Sequence, residues 1–364
     1  MDPRIREHAE IIANSIDLGA DDDVVVVAPP VAEDLVVALN ELIGDAGANP
    51  LNLYTHRGGR PARAFLRACD EEDFSPPGHR AAMVEACDAY VAIKGDQNVS
   101  EFGDVDPESL AAFQRAHRDI LDERLSKRWN LTQYPGPGNA QIAEMSTEAY
   151  ENFVWDAINK DWEAVRDHQA QMVEIMDAAE EVHIVSGDTT DVTMNVAGNP
   201  TINDWGKHNM PAGEVFTAPV PDSVEGEVLF DKPLYNEGKE VLDAYVRLED
   251  GEVVEHAAAK NEATLTQILN TDDGARRLGE LGIGMNRDID RFTYNMLFDE
   301  KMGDTVHMAL GRAYEDTVGE GNEQNQSAQH VDMIVDMSED SYIEVDGEII
   351  QRDGTFIFED GFGD

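Results

Sequence analysis

The chain has 364 residues, 41% of them hydrophobic, enough for two domains and a sizeable core. Its 75 Asp and Glu against 27 Lys and Arg give a formal charge of −48. Phosphate binding requires clustered Lys and Arg, so this balance argues against nucleic acid and anionic membrane as partners. No run approaches the ~20 apolar residues of a transmembrane helix.

In chain order, Ile5 to Ile16 is amphipathic and predicts a helix. Val24 to Ala28 (VVVVA) is wholly apolar, the pattern of a strand buried on both faces. Val31 to Ile43 reads as a helix, and Leu51 to Tyr54 and Tyr90 to Ile93 as further strands with helices between. This alternation predicts a parallel α/β sheet. No GxGxxG or Walker sequence follows VVVVAPP, and two prolines stand where a phosphate loop needs glycines, which argues against nucleotide binding. His56 with Arg57-Gly58-Gly59-Arg60, and His79 after Pro76-Pro77, read as polar turns. Cys69 and Cys87 are the only cysteines. They offer no CxxC or disulfide framework, and each reads as a small buried hydrophobe. With no apolar core of a signal peptide near the N-terminus, a reduced cytoplasm is expected.

A long helix over Thr147 to Ala179 links the halves. From Val182 the texture changes to strands (VHIVS, DVTMNV, GEVLF, AYVRLEDGEVVE), with LEDGEV as a hairpin signal. A helix is expected at about 262 to 278, and the closing DGEIIQRDGTFIFEDGFGD reads as a hairpin and tail. The fold class is therefore α/β: an N-terminal parallel α/β domain, residues 1–178, followed by a mixed α+β domain, residues 179–364.

The second region holds the candidate chemistry. GEVFTAP carries Glu214, GELGIG carries Glu280, DTVHMALG carries His307, GRAY carries Tyr314, and HVD carries His330 and Asp332. Three carboxylates and two imidazoles are a ligand set for hard or borderline divalent metals, with a phenol beside them. In HVDMIVDM, Val331, Met333, Val335 and Met337 point one way, and His330 and Asp332 the other. Taken singly, each residue has a bland reading: a glutamate in a solvated Gly-rich turn, a hydrogen-bonded strand histidine, an aromatic packing residue.

The series NDWGKHNMPAGEVFTAP (203–219), ELGIGMN (280–286), LFDEKMGDTVHMALGRAY (297–314) and HVD (330–332) resembles the thermophilic metallo-aminopeptidases of the aminopeptidase T/aminopeptidase S type. RWNLTQYPGPGNAQIAEMSTEAYENF (128–153) shares the resemblance, and the first hundred residues match in general character only. It implies a dinuclear site for zinc, cobalt or manganese, with the ligands on Glu214, Glu280, His307, His330 and Asp332 and the functional tyrosine on Tyr314. It also implies peptide substrates and a homodimer. One departure stands out: Gly198-Asn199 occupies a place where family members often read Gly-Arg.

Five protein ligands suffice for two metals when one carboxylate and a water bridge them. Glu280, flanked by glycines, is the expected bridge or holder of the attacking water. Paired metals lower the pKa of bound water towards ~7 and polarise a carbonyl. The expected activity is release of N-terminal residues from peptides. The alternative uses His307, His330 and Asp332 alone, a 2-His-1-carboxylate set like that of non-haem iron ring-cleaving dioxygenases. The acidic composition, with 8 Lys against 19 Arg, looks like that of a salt-accumulating halophile.

Overall fold

A computed structural model describes residues 2–55, 59–236 and 239–363. His56, Arg57 and Gly58, expected in a polar turn, lie outside the described residues. Two compact units emerge: Met1–Lys160 with Gly206–Pro211, and Asp161–Trp205 with Ala212–Asp364.

The first unit is built on a sheet of β1 (Asp23–Ala28), β2 (Asn49–Tyr54), β3 (Ala89–Lys94) and β4 (Arg128–Gln133). Their order is β2-β1-β3-β4, with the short strand Asn209–Met210 beside β4, and every pairing is parallel. The helix Pro3–Ser15 starts on Asp2, whose carboxylate accepts from Arg4 N, and buries Ile5, Ala9 and Ile12. The helix expected from Val31 begins with a 3₁₀ turn, Pro30–Ala32, and continues as Glu33–Ala46. It closes on Gly47 at φ 78°, a left-handed cap suited to glycine. Strand β4 gave no apolar signal because it buries Asn130, Thr132 and Gln133.

Several local expectations are corrected. His79 is not in a turn; it lies in the first turn of the helix Gly78–Ala86. Cys87 is buried, but Cys69 is only half-buried, and both are free thiols. The long helix expected from Thr147 to Ala179 is two helices, Thr147–Ile158 and Trp162–Asp177. Asp161 restarts the chain by accepting from the N–H groups of Glu163 and Ala164. The second helix belongs to the second unit, where Met172 and Met176 join the core.

The second unit holds an eight-stranded and a five-stranded sheet. The LEDGEV hairpin joins Ala244–Glu249 to Glu252–Ala257 through Asp250 and Gly251, at φ 49° and 75°, as a two-residue turn of the primed type demands. The helix expected to reach residue 278 is Glu262–Leu269. Asp272 caps a short 3₁₀ turn, and Leu278 already opens a strand. GELGIG is therefore no turn; it lies in the fully buried strand Leu278–Gly284. The closing hairpin forms as expected, from Glu348–Arg352 and Thr355–Phe356.

The five-stranded sheet runs in the order His330–Asp336, Thr305–Gly311, Leu278–Gly284, Glu214–Thr217, Ile202–Asp204, all antiparallel. Val331, Met333, Val335, Val306, Met308, Leu310, Leu281, Ile283 and Val215 enter one core with Val182, Ile184, Val228 and Val246 of the larger sheet. A period of two then sends the alternate residues to the other face. Among the described residues, no helix is long and apolar enough to cross a membrane.

Candidate metal centre

That other face gathers all five expected ligands, one or two from each of four neighbouring strands. The pairing register places them. Asp332 is opposite Ala309, and Ala309 opposite Glu280. His307 is opposite Gly282, and Glu214 opposite Gly284. Adjacent strands lie about 4.8 Å apart, so ligands on alternate strands are separated by small residues that leave room for their side chains. Gly282 is the clearest case. A Cβ there would sit 2.0 Å from both Cε1 and Nε2 of His307, so the imidazole lies on the bare backbone of the next strand.

The side chains converge. His307 Nε2 is 3.1 Å from Glu280 Oε1 and 3.4 Å from Glu214 Oε2. His330 Nε2 is 3.4 Å from Asp332 Oδ1 and 3.8 Å from Glu280 Oε2. Glu280 thus faces a different imidazole with each oxygen. Its ligand atom, and those of His307 and Asp332, lie within 4.8 Å of one another. His330 Nδ1 donates to the Arg312 carbonyl at 2.7 Å, which turns Nε2 towards the carboxylates. Tyr314 stands at the rim, 45% exposed, its ring centroid 4.7 Å from that of His330.

Burial pushes Glu214 and Glu280 above the usual carboxylate range. Burial opposes charge on the imidazoles too, but their carboxylate neighbours win. Glu280 and Glu214 hold His307 up at about 9, and Asp332 and Glu280 hold His330 at about 10. Asp332, despite burial, is drawn down to about 2 by His330. Although nearly half of the Tyr314 surface is exposed, desolvation against the site and the charges of Glu280 and Asp332 raise the phenol well above its ordinary value, so it stays a donor. Glu214 Oε2, Glu280 Oε2 and Asp332 Oδ1 are each buried without a hydrogen-bond partner. Such oxygens are costly unless a cation takes them, and together with two imidazoles they fit a hard or borderline divalent metal.

Sequence reasoning missed the residues that hold these ligands. Lys301, wholly buried, places Nζ 3.0 Å from Glu214 Oε1 and also contacts Glu300. Burial would discharge it, but Glu214, Glu300 and Asp204 outweigh that and keep the ammonium charged. Gln169, from the helix Trp162–Asp177, donates to the Glu214 carbonyl at 2.6 Å. Asn199, the departure noted in the sequence, is buried and fastens the segment after Tyr314. Its Nδ2 donates to the Ala218 carbonyl at 2.7 Å, and its Oδ1 accepts from Gly319 N and Asn322 Nδ2 at 2.9 and 2.8 Å. Nothing local marks Gln169 apart from any other polar residue. The one available signal was Lys301 itself, a lysine in a chain with eight.

The thermophilic metalloprotease (M29) family profile matches residues 1–362. The chain is 29% identical to aminopeptidase T of Thermus aquaticus, over 92% of this chain and 91% of that protein. It is 28% identical to aminopeptidase 2 of Geobacillus stearothermophilus, over 79% and 82%. The solved structure of wild-type AmpT from Thermus thermophilus superposes with a TM-score of 0.86 at 26% identity, covering 98% of this chain and 99% of that one. A 2,5-dihydroxypyridine dioxygenase from Pseudomonas putida KT2440 shares the fold at a TM-score of 0.60, with 13% identity over 99% of each chain.

Proposed function

From the fact that the chain belongs to the M29 family of thermophilic metalloproteases, we infer a metal-dependent aminopeptidase that releases N-terminal residues from short peptides. Two divalent ions, zinc, cobalt or manganese, are held by Glu214, Glu280, His307, His330 and Asp332. The observation that carries this reading is Glu280, whose two oxygens address His307 and His330 separately. A carboxylate so placed suits a bridge between two ions. When bound, the metals supply a water acidified towards neutral pH and polarise the scissile carbonyl.

The residues supply the rest. Glu280, set between the two imidazoles, is placed to bridge the ions or to hold the attacking water. The Tyr314 phenol, kept protonated, donates to the oxyanion as the carbonyl carbon becomes tetrahedral. His307 and His330 serve as ligands in their neutral form, fixed by Gly282 and by the Arg312 carbonyl. The sequence carries no HExxH pair of the kind found in many single-zinc endopeptidases, and the carboxylate-rich face suits a free α-amino group.

The test is mass spectrometry of one peptide and its N-acetylated twin, with chelated and metal-restored enzyme. Stepwise loss of N-terminal residues from the free peptide alone, abolished by chelation and restored by zinc, cobalt or manganese, is expected. Internal cleavage of both peptides at similar rates refutes the reading. The dioxygenase alternative requires one iron on His307, His330 and Asp332, and leaves the buried Glu214 and Glu280 of the same cluster without a role. A homodimer in a salt-rich cytoplasm completes the proposal, supported by the family resemblance and the charge of −48. Sedimentation in molar KCl checks the dimer.

A further inference from the structure

We infer that Lys301 is a positioning residue of the metal centre, holding one carboxylate oxygen of Glu214 so that the other is turned to a metal. This rests on the reading of Glu214 as a ligand. The two oxygens of Glu214 live in different surroundings. Oε1 takes the Lys301 ammonium at 3.0 Å. Oε2 is buried with no hydrogen-bond partner and faces His307 Nε2 at 3.4 Å. A carboxylate pinned by one oxygen is offered through the other, and its freedom to chelate through both is removed.

The backbone supports the same arrangement. Met285 N donates to the Gly213 carbonyl at 2.8 Å, and Asn286 Nδ2 to the Ala212 carbonyl at 2.9 Å, tying the approach to Glu214 to the end of the Glu280 strand. Asn286 N donates to the Lys301 carbonyl at 3.0 Å, and Gly303 N to the Asn286 carbonyl at 3.1 Å. One residue, Asn286, therefore anchors the segments of both partners. A Cβ on Gly213 would sit 2.7 Å from the Asn286 Cβ, so this junction closes only around glycine. Gln169 holds the Glu214 carbonyl from the other side. Lys301 has no exposed surface, so it touches no substrate and acts only through Glu214.

A purely structural role, neutralising buried acid, makes a different forecast. Glu300 shares the ammonium with Glu214, and its removal alters the local charge without touching the Lys301–Glu214 contact. The experiment compares wild type, Lys301→Met, Lys301→Arg and Glu300→Gln as metal-free proteins. Zinc affinity and stoichiometry are read by calorimetric titration, beside the metal-free melting temperature. In Lys301→Met one of two ions is expected to bind about 10- to 100-fold more weakly, the usual effect of losing a partner of a ligand, with the other unchanged. Lys301→Arg should recover part of the loss, and Glu300→Gln should bind both ions as wild type does. Wild-type affinity for both ions in Lys301→Met overturns the inference, as does an equal loss in Glu300→Gln. Should Lys301→Met fail to fold, Lys301→Arg decides. It keeps the charge but moves the nitrogen, so undiminished affinity there overturns positioning. Failure of wild type to bind two ions refutes the dinuclear reading instead.

Discussion

Replacing Gly282 with alanine tests whether bare backbone beneath His307 is what places its imidazole. The added Cβ would lie 2.0 Å from Cε1 and Nε2 and 2.8 Å from Cδ2 of the ring. Non-bonded carbons settle at about 3.5–4.0 Å, so the ring must shift by roughly 1.5 Å. Metal–ligand distances tolerate only about 0.2 Å, so the shift takes Nε2 out of coordination. Gly282 is not in the left-handed region, so alanine adds no backbone strain of that kind. Overpacking of this kind costs about 1–3 kcal/mol, and each kcal/mol lowers the melting temperature of a unit this size by about 2–4 °C. The variant should therefore fold and melt a little early. It should lose at least one ion after dialysis against zinc. Turnover should fall about 100-fold or more, the penalty of a 1 Å misplacement at a reacting centre. Metal analysis, peptide turnover and metal-free melting are the assays. A variant with full metal and wild-type turnover refutes the reasoning.

Metal uptake should release protons. Without metal, His307 and His330 hold theirs up to about 9 and about 10, yet both must be neutral to bind. Calorimetry at pH 7 in buffers of different ionisation enthalpy should show net release, with affinity rising with pH; no release at pH 7 contradicts the arrangement. The same raised values mean that the imidazolium contribution to metal-free stability is complete below ~6.5 and is lost as pH rises through 9 to 10, measurable as a falling metal-free melting temperature. Tyr314→Phe should keep its metals and lose about 2.7–4 kcal/mol of transition-state stabilisation, read as kcat; an unchanged kcat makes Tyr314 a packing residue. The charge of −48 should make the fold depend on salt, because molar KCl shortens the Debye length to about 3 Å. A melting temperature indifferent to salt between dilute buffer and molar KCl refutes this.

What the sequence determined by itself was whatever is encoded over a few residues. VVVVA announced a strand buried on both faces because its apolar run needs no distant partner to be recognised. Asp250-Gly251 announced the hairpin because only such residues accept two successive positive φ angles. HVD placed His330 and Asp332 on one face because the pleat has a period of two. The five candidate ligands were legible as residue types, and the resemblance named them.

The tertiary structure decided how they are held. Asp161 breaks the expected helix because its carboxylate offers the chain a new start. GELGIG is a buried strand because its glycines serve the ring of His307 and the chain on the next strand, contacts that no pattern along the sequence displays. Lys301, Gln169, Asn199 and Asn286 are ordinary polar residues until strand pairing brings them to Glu214 and to the segment after Tyr314. Gln169 is 45 residues from Glu214, and Asn199 is 120 from Gly319. Periodicity reads which face a residue takes, but only closure of the chain over such separations sets what it touches there.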